Sequence, residues 1–244
     1  MIKNVIFDCD STITQIEGID LLADKNNVWE EVSAITRRSM EHSSLTIDIF
    51  EERLDLVQPT LEQVQDLGDL YIANLSRDVK EVIELLQESG RNIFIVTGGL
   101  QPAVNYLARY LNIDYKNVYS VEVYFNQQGE YTGFDKSSPL VAKHGKRHIS
   151  EKITEEFGKS VLIGDGSNDM EAAEAVELFI GYGGAVKREK IMNSSDIYVE
   201  CNSFAPLLKI LLEENELVSY KKGVFKELVE RGINLYSDSV VRKS

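Results

Sequence analysis

The chain is poor in cysteine, in basic residues and in long apolar runs. Its 244 residues include two cysteines, Cys9 and Cys201, which excludes a disulfide framework and a zinc cluster built from thiolates. The 26 basic residues face 40 acidic ones, and the net charge of −14 argues against a nucleic acid or an anionic membrane as partner, because both bind to basic patches. No apolar run approaches the roughly 20 residues that a transmembrane helix needs.

The N-terminus lacks the pattern of a secretory signal. It opens directly on an apolar stretch, "MIKNVIF", with no basic region before it and no small-residue cleavage site after it. We therefore expect a cytoplasmic protein. With 43% hydrophobic and 27% charged residues, the composition is typical of a globular enzyme, and the length allows one domain with an insertion or two unequal domains.

Short apolar runs alternate with helical patterns over most of the chain. Between the runs, apolar residues recur at helical spacing, as at Val79, Val82, Ile83 and Leu86. This alternation predicts an α/β fold with a doubly wound parallel sheet, a Rossmann-like core. The runs that we assign to buried strands are residues 4–7, 92–96, 160–164, 178–181 and 196–199.

Three stretches depart from this alternation. Residues 14 to about 75 are helical, acidic and free of strand patterns, which is the profile of a small helical cap inserted after the first strand. Residues 118–134 alternate in period two around a glycine-bearing turn and predict a β-hairpin. The end of the chain contains the pattern of an amphipathic helix whose purpose the sequence does not state. We expect a core of residues 1–13 and 76–214, a cap of residues 14–75 and a C-terminal extension of residues 215–244.

Polar segments follow the predicted strands at the edge where a doubly wound sheet binds its ligands. The first is "DCDST", residues 8–12. Asp8 and Asp10 lie beside an apolar core, which is costly unless a cation binds there. Such a pair can ligate a hard cation while one oxygen stays free to attack. The same residues could instead form a loop that caps a helix.

Two further segments lie at later strand ends. In "TGGLQP", the hydroxyl of Thr97 and the N–H groups of Gly98 and Gly99 would form an anion cradle at a helix N-terminus. Paired glycines are also common in ordinary turns. The basic stretch "KHGKRH", residues 143–148, would bring a lysine near a phosphoryl group. Such a run is also typical of a solvated helix end.

The last segment, "GDGSNDMEA", carries a second acidic pair, Asp165 and Asp169, with Asn168 as a donor to a bound anion. It lacks the D-x-[DN]-x-[DN]-G spacing of an EF-hand. Each segment has an ordinary structural explanation by itself. Together, at successive strand ends of one sheet, they predict a Mg²⁺ site beside an anion cradle.

The four segments resemble, in order, the motifs of the haloacid dehalogenase (HAD) superfamily of phosphatases. Within it, "DSTITQIEGIDLLA" (10–23), "ITRRSM" (35–40) and "EERLDL" (51–56) resemble the phosphoserine phosphatase family, and the likeness spans about residues 3–212. The resemblance implies a HAD-like fold and a Mg²⁺-dependent phosphomonoester hydrolase that forms an aspartyl-phosphate. It also implies a small phosphorylated metabolite, phosphoserine above all, as the substrate.

The resemblance implies a role for each of five residues. Asp8 would be the nucleophile, and Asp10 would act first as general acid and then as general base. Lys146 would hold phosphoryl oxygens and complete the catalytic set. Mg²⁺ would be held by Asp8, Asp165 and the backbone carbonyl of Asp10, with Asp169 in support.

Substrate binding would involve residues of both the core and the cap. Glu17 and Arg53 have an independent rationale, because one acidic and one guanidinium group complement the ammonium and carboxylate of an amino acid phosphate. Each residue alone is more often a surface charge. The implied substrate-binding set is Glu17, Met40, Arg53, Thr97, Gly98, Gly99, Lys146 and Asn168.

The sequence departs from the family pattern mainly in the cap. Thr46 stands where the family has a phenylalanine over the substrate, and His42 stands where a glycine is usual. Thr97 replaces the commoner serine and keeps the hydroxyl. Lys143 is an alternative to Lys146 as the lysine that binds phosphate.

The sequence leaves three alternatives open. The same chemistry could act on phosphohomoserine or a sugar phosphate, or the phosphoryl group could pass to an alcohol instead of water. A receiver-like signalling domain also uses a phospho-aspartate, Mg²⁺, threonine and lysine on a doubly wound sheet, although Asp10 and the large cap argue against it. The chain could be a monomer or a homodimer.

Overall fold

A computed structural model describes residues 2–41 and 46–242. The strands are β1 (Asn4–Phe7), β2 (Asn92–Leu100), β3 (Val118–Val121), β4 (Val123–Phe125), β5 (Tyr131–Phe134), β6 (Ser160–Gly164), β7 (Leu178–Tyr182), β8 (Ile197–Val199) and β9 (Val240–Arg242). Within the described ranges, β4 and β5 form a separate hairpin, and the others form one seven-stranded sheet in the order β3-β2-β1-β6-β7-β8-β9. All neighbours in that sheet are parallel except β8 and β9.

The sheet is doubly wound around β1. Asn4 pairs with Asn92 of β2 on one side and with Ser160 of β6 on the other, so the chain order reverses at this strand. All four residues of β1 are buried, as expected for a strand covered on both faces. The predicted α/β fold is confirmed. Ligands bind such sheets at the carboxyl ends of the strands near the reversal, which is where Asp8 lies.

The helices fall into a cap group and a core group. Thr60 begins α4 with a capping box that includes Gln63, and Val64, Leu67 and Tyr71 form its buried face. We call α1 to α4, which lie between β1 and β2, the cap. No helix in residues 2–41 and 46–242 is long and apolar enough to cross a membrane. The helices are α1 (Gly18–Lys25), α2 (Trp29–Glu41), α3 (Ile47–Val57), α4 (Leu61–Ala73), α5 (Val79–Glu88), α6 (Gln101–Tyr110), α7 (Gly145–Phe157), α8 (Ser167–Glu171), α9 (Glu189–Ser194), α10 (Leu207–Leu211), α11 (Glu214–Tyr220) and α12 (Lys226–Ser239).

The hairpin predicted over residues 118–134 is too long. Its first part, β3, pairs in parallel with β2, where Val118 lies opposite Ile95. Only β4 and β5 form the antiparallel pair, with Val123 opposite Phe134. Alternation in period two predicts a strand but does not identify its partner, so the pattern does not show that β3 pairs with β2 and not with β5.

The C-terminal residues pack against the core and extend its sheet. The guanidinium of Arg91, which is 2% exposed, donates to both carboxylate oxygens of Glu216 in α11. Arg231 of α12 pairs with Asp78 at the start of α5. Strand β9 then adds an antiparallel edge beside β8. The sequence indicated a helix here but not the edge strand, whose pairing depends on distant residues.

Candidate active site

One cavity of about 420 Å³ lies at the carboxyl ends of β1, β2 and β6, between the core and the cap. Strand ends, loops and helix starts that are far apart in sequence meet there. The predicted site residues that line it are Asp8, Asp10, Glu17, Arg53, Thr97, Gly98, Gly99, Lys146, Asp165, Asn168 and Asp169. Met40 belongs to α2, but its side chain lies outside the described part of the structure, as does His42.

Three buried carboxylates converge in this cavity. Asp8, Asp165 and Asp169 each offer an oxygen, and these oxygens lie within 4.8 Å of one another. Burial and the nearby charge of Asp8 raise the pKa of Asp169 to about 7 and also raise the pKa of Asp165. A negatively charged set made only of oxygens suits a hard divalent cation. The residues present therefore fit a metal ion.

Lys146 is the cation that the structure brings to this cluster. Its Nζ lies 2.8 Å from Asp8 Oδ1 and 2.7 Å from Asp169 Oδ1, and the side chain is only 7% exposed. Burial by itself would lower the pKa of Lys146, but the two carboxylates raise it, so the amine is charged. Lys143 is exposed and does not line the cavity. The geometry therefore favours Lys146 over Lys143.

The glycine of β6 that ends "SVLIG" makes room for the Asp169 carboxylate. An ideal Cβ on Gly164 would lie 2.2 Å from the Asp169 Cγ, so no larger residue fits without displacing that side chain. Asp169 in turn accepts a hydrogen bond of 3.0 Å from the N–H of Gly166. The glycines of "GDGSND" thus allow the close approach of a carboxylate to the strand end.

Asp10 is held by two donors that both reach the same oxygen. Its Oδ1 accepts hydrogen bonds of 2.7 Å from the Gly18 N–H and 2.8 Å from the Tyr71 hydroxyl. Burial and the charge of Asp8 raise the pKa of Asp10 to about 6 despite these donors. Tyr71 is a site residue that the sequence did not indicate, because it belongs to the buried apolar face of α4.

The predicted anion cradle lies at the junction of β2 and α6. The Thr97 Oγ1 accepts a hydrogen bond of 3.1 Å from the Gly99 N–H, and both residues line the cavity. Gly98 also lines it, with nothing within 4 Å of an ideal Cβ. Asn168, near the start of α8, lines the same cavity. The Gly99 N–H is therefore engaged by Thr97, and the structure places both glycines within β2, while Thr97, Gly98 and Asn168 border one space from two strand ends.

The cap contributes one acidic and one basic side chain to the cavity. Burial and the charges of Asp10 and Asp165 raise the pKa of Glu17 to about 8, even though the Ser11 hydroxyl donates to Glu17 at 2.6 Å. The Nε of Arg53 is buried without a hydrogen-bond partner among the described residues. A guanidinium with an unused donor beside a cavity can bind an anionic ligand.

Thr46 has a structural role at the start of α3. Its hydroxyl accepts a hydrogen bond of 3.4 Å from the Ile49 N–H and caps the helix. Phe50, one turn further along α3, lines the cavity. An aromatic ring is therefore present in the cap, although not at the position where the family pattern places it.

Comparison with known proteins identifies the family. Residues 2–177 match haloacid dehalogenase-like hydrolases. The chain belongs to the haloacid dehalogenase-like hydrolases. The membership expected from the four motifs is confirmed.

Curated relatives of this hydrolase are phosphoserine phosphatases. It is 37% identical over 211 residues to those of Bos taurus and Homo sapiens, with 86% of this chain and 93% of each relative aligned. A solved phosphoserine phosphohydrolase-like protein from Francisella tularensis is 28% identical with a TM-score of 0.76, over 86% of this chain and 100% of that one. A substrate-bound phosphoserine phosphatase complex is 27% identical with a TM-score of 0.73, over 87% of this chain and 99% of that one.

The site of this haloacid dehalogenase-like hydrolase includes one more charged residue that the sequence did not indicate. Arg188 lines the cavity, and its guanidinium lies 2.9 Å from Asp165 Oδ2 and 3.5 Å from Glu17 Oε1. The residue follows β7 at the same edge of the sheet. Its position after a strand end was the available signal, since arginine is otherwise common on surfaces.

Proposed function

We propose that the protein is a Mg²⁺-dependent phosphoserine phosphatase that hydrolyses O-phospho-L-serine to L-serine and phosphate through an aspartyl-phosphate on Asp8. The observation that carries the proposal is the contact of Asp8 with Lys146 inside a buried carboxylate cluster, next to a second aspartate held in a fixed orientation. The curated relatives support the choice of substrate.

Asp8, Asp165 and Asp169 would hold the Mg²⁺ ion, together with the backbone carbonyl of Asp10. When bound, the metal ion would offset the charge of the cluster and of a phosphoryl oxygen. Mg²⁺ and Ca²⁺ both prefer oxygen ligands, and a compact set with few carboxylates is typical of Mg²⁺ beside a phosphate.

Asp8 would act as the nucleophile. Among the described residues, the Cys9 N–H and Lys146 both donate to Asp8 Oδ1, each at 2.8 Å. In the first step an oxygen of Asp8 forms a bond to phosphorus as the bond from phosphorus to the serine oxygen breaks. Lys146 and the cradle at Thr97 would bind the other phosphoryl oxygens and stabilise the charge that develops on them.

Asp10 would move the proton in both steps. In its protonated form it gives a proton to the departing serine oxygen. It then takes a proton from a water molecule, whose oxygen bonds to phosphorus as the bond to Asp8 breaks. The group starts and ends the cycle protonated, so the proton balance closes.

Recognition of serine would fall to the cap. The ammonium of the substrate suits the Glu17 carboxylate. Its carboxylate suits the Arg53 guanidinium, whose Nε has no hydrogen-bond partner within residues 2–41 and 46–242. Phe50 would cover the ligand, and a seated cap would limit access of bulk water to the intermediate.

The experiment that tests the proposal is phosphate release from L-phosphoserine with and without Mg²⁺, beside phosphohomoserine, sugar phosphates and p-nitrophenyl phosphate. We expect a marked preference for phosphoserine, dependence on Mg²⁺ and loss of turnover in Asp8→Asn. Equal turnover of all the esters would reject the serine assignment, and activity of Asp8→Asn near the wild-type level would reject the nucleophile. New phosphoesters on adding alcohols would point to a phosphotransferase.

The proposal includes a role in serine biosynthesis and a cytoplasmic location. A relative from Arabidopsis thaliana is described as chloroplastic. Cell fractionation would test the location, and sedimentation of the purified protein would distinguish a monomer from a homodimer.

A further inference from the structure

We propose that Tyr71 is a positioning residue that orients the proton-carrying oxygen of Asp10 toward the phosphoryl group. The inference rests on the proposed function in one respect, since it takes Asp10 to be the group that transfers the proton. Tyr71 lies on α4, so this inference assigns to the cap a part in the chemistry besides substrate recognition.

The two oxygens of the Asp10 carboxyl have different surroundings. Oδ1 accepts hydrogen bonds from both the Tyr71 hydroxyl and the Gly18 N–H. A carboxyl oxygen with two donors has no lone pair left for a proton, so the transferable proton belongs on Oδ2. The hydrogen bonds therefore determine which oxygen carries the proton.

Oδ2 faces the anion cradle. An ideal Cβ on Gly99 would lie 3.2 Å from Asp10 Oδ2 and 3.4 Å from Thr97 Oγ1, so both oxygens border the same small space. That space is where the phosphoryl group would lie. A rotation of the carboxyl group that exchanged Oδ1 and Oδ2 would bring the protonated oxygen against the two donors and break the hydrogen bonds to Oδ1, so Tyr71 and Gly18 together oppose it.

The position of the Tyr71 hydroxyl requires a glycine at position 18. Tyr71 is 0% exposed, so its hydroxyl needs a partner inside the protein, and Asp10 is that partner. An ideal Cβ on Gly18 would lie 2.2 Å from the Tyr71 hydroxyl oxygen. Any side chain at position 18 would displace the hydroxyl, and we infer that the glycine preserves this hydrogen bond.

The test compares wild type with Tyr71→Phe on two substrates. The variant keeps the ring and removes only the hydroxyl. We expect kcat/KM for phosphoserine to fall by about 10-fold to 100-fold, because correctly oriented proton transfer contributes a large rate factor. The loss of kcat/KM for p-nitrophenyl phosphate should be much smaller, because kcat/KM reports the steps up to the aspartyl-phosphate and nitrophenolate leaves in those steps without protonation. KM for phosphoserine should change little, since Tyr71 is not assigned to substrate binding.

Two controls separate positioning from folding. Tyr182 is also 0% exposed, is not among the cavity-lining residues, and Tyr182→Phe should leave both activities unchanged. Gly18→Ala should reduce kcat for phosphoserine in the wild-type background. It should have a smaller effect in the Tyr71→Phe background, where no hydroxyl oxygen remains to be displaced. Thermal unfolding of each variant shows whether the fold is intact.

Each outcome bears on the proposal. Equal losses of kcat/KM on both esters, or a raised KM with unchanged kcat, would show that Tyr71 only supports the structure. Unchanged activity would show that it has no role at Asp10. If the aryl ester is not turned over, the kinetics with phosphoserine decide. A lower kcat with unchanged KM supports the positioning role, and a higher KM with unchanged kcat contradicts it. Failure of the wild type to hydrolyse any ester would overturn the proposed function instead.

Discussion

Gly164→Ala should damage the proposed metal site through a single added methyl group. The ideal Cβ at this position lies 2.2 Å from the Asp169 Cγ, well inside van der Waals contact. Asp169 would have to move away from the strand. This movement would weaken both its 2.7 Å contact with Lys146 and the 3.0 Å hydrogen bond that it accepts from the Gly166 N–H.

The expected magnitude follows from these contacts. Overpacking of this kind costs about 1–3 kcal/mol. For a chain of this size, that corresponds to a fall in Tm of about 2–12 °C in the metal-free protein. Saturating Mg²⁺ at about 100 times Kd should add about 2.7 kcal/mol to the wild type, and clearly less to the variant, because one of its three carboxylates is displaced.

The assay is thermal unfolding at increasing Mg²⁺, with titration calorimetry for the metal affinity. Gly166→Ala is the matched control, because its ideal Cβ lies 3.3 Å from Asp169 Oδ2 and small shifts can accommodate it. We expect Gly166→Ala to lower the Tm and the Mg²⁺-induced shift only slightly, and Gly164→Ala to lower both strongly. If Gly164→Ala keeps both the Tm and the Mg²⁺-induced shift of the wild type, the argued packing of Asp169 against β6 is wrong.

Three further predictions concern charged groups. Lys146→Met should reduce phosphoserine turnover at least 100-fold, while Lys143→Met should have little effect; steady-state kinetics showing the reverse would make Lys143 the phosphate-binding lysine. Arg188→Met should tighten Mg²⁺ binding in calorimetry, because the guanidinium 2.9 Å from Asp165 no longer competes with the metal, and weaker binding would contradict this. Glu216→Gln should cost about 2 kcal/mol near pH 7, because it leaves buried Arg91 without its carboxylate. The hydrogen bond from Arg91 lowers the pKa of Glu216, so this contribution is complete above the unfolded pKa and disappears as the pH falls through the folded pKa. Denaturant titrations should therefore show the difference between variant and wild type shrinking in acid, and a difference that grows in acid would refute the assignment.

Two features of the molecule do not follow from local sequence: the partner of β3 and the position of the aromatic ring in the cap. The alternation in residues 118–134 correctly indicated strands, but the partner of β3 is β2, which lies far away in the sequence. The family pattern has a phenylalanine at the position of Thr46, yet the Thr46 side chain caps α3 and Phe50 lines the cavity instead. Neither outcome follows from residue type, because each depends on how an element is oriented against its neighbours.

Residue pattern alone was enough to locate the polar groups at the strand ends. Asp8, Thr97 and Asp165 each follow a buried apolar run, and parallel strands bring their carboxyl ends to one edge, so local pattern and topology together placed them in one site. Only the tertiary structure determined the contacts that cross from cap to core, above all the hydrogen bond from Tyr71 to Asp10. A tyrosine on the buried face of a helix has the same local signature whether it packs against leucine or orients a carboxyl group. Its partner is decided by helix packing, which no short stretch of sequence encodes.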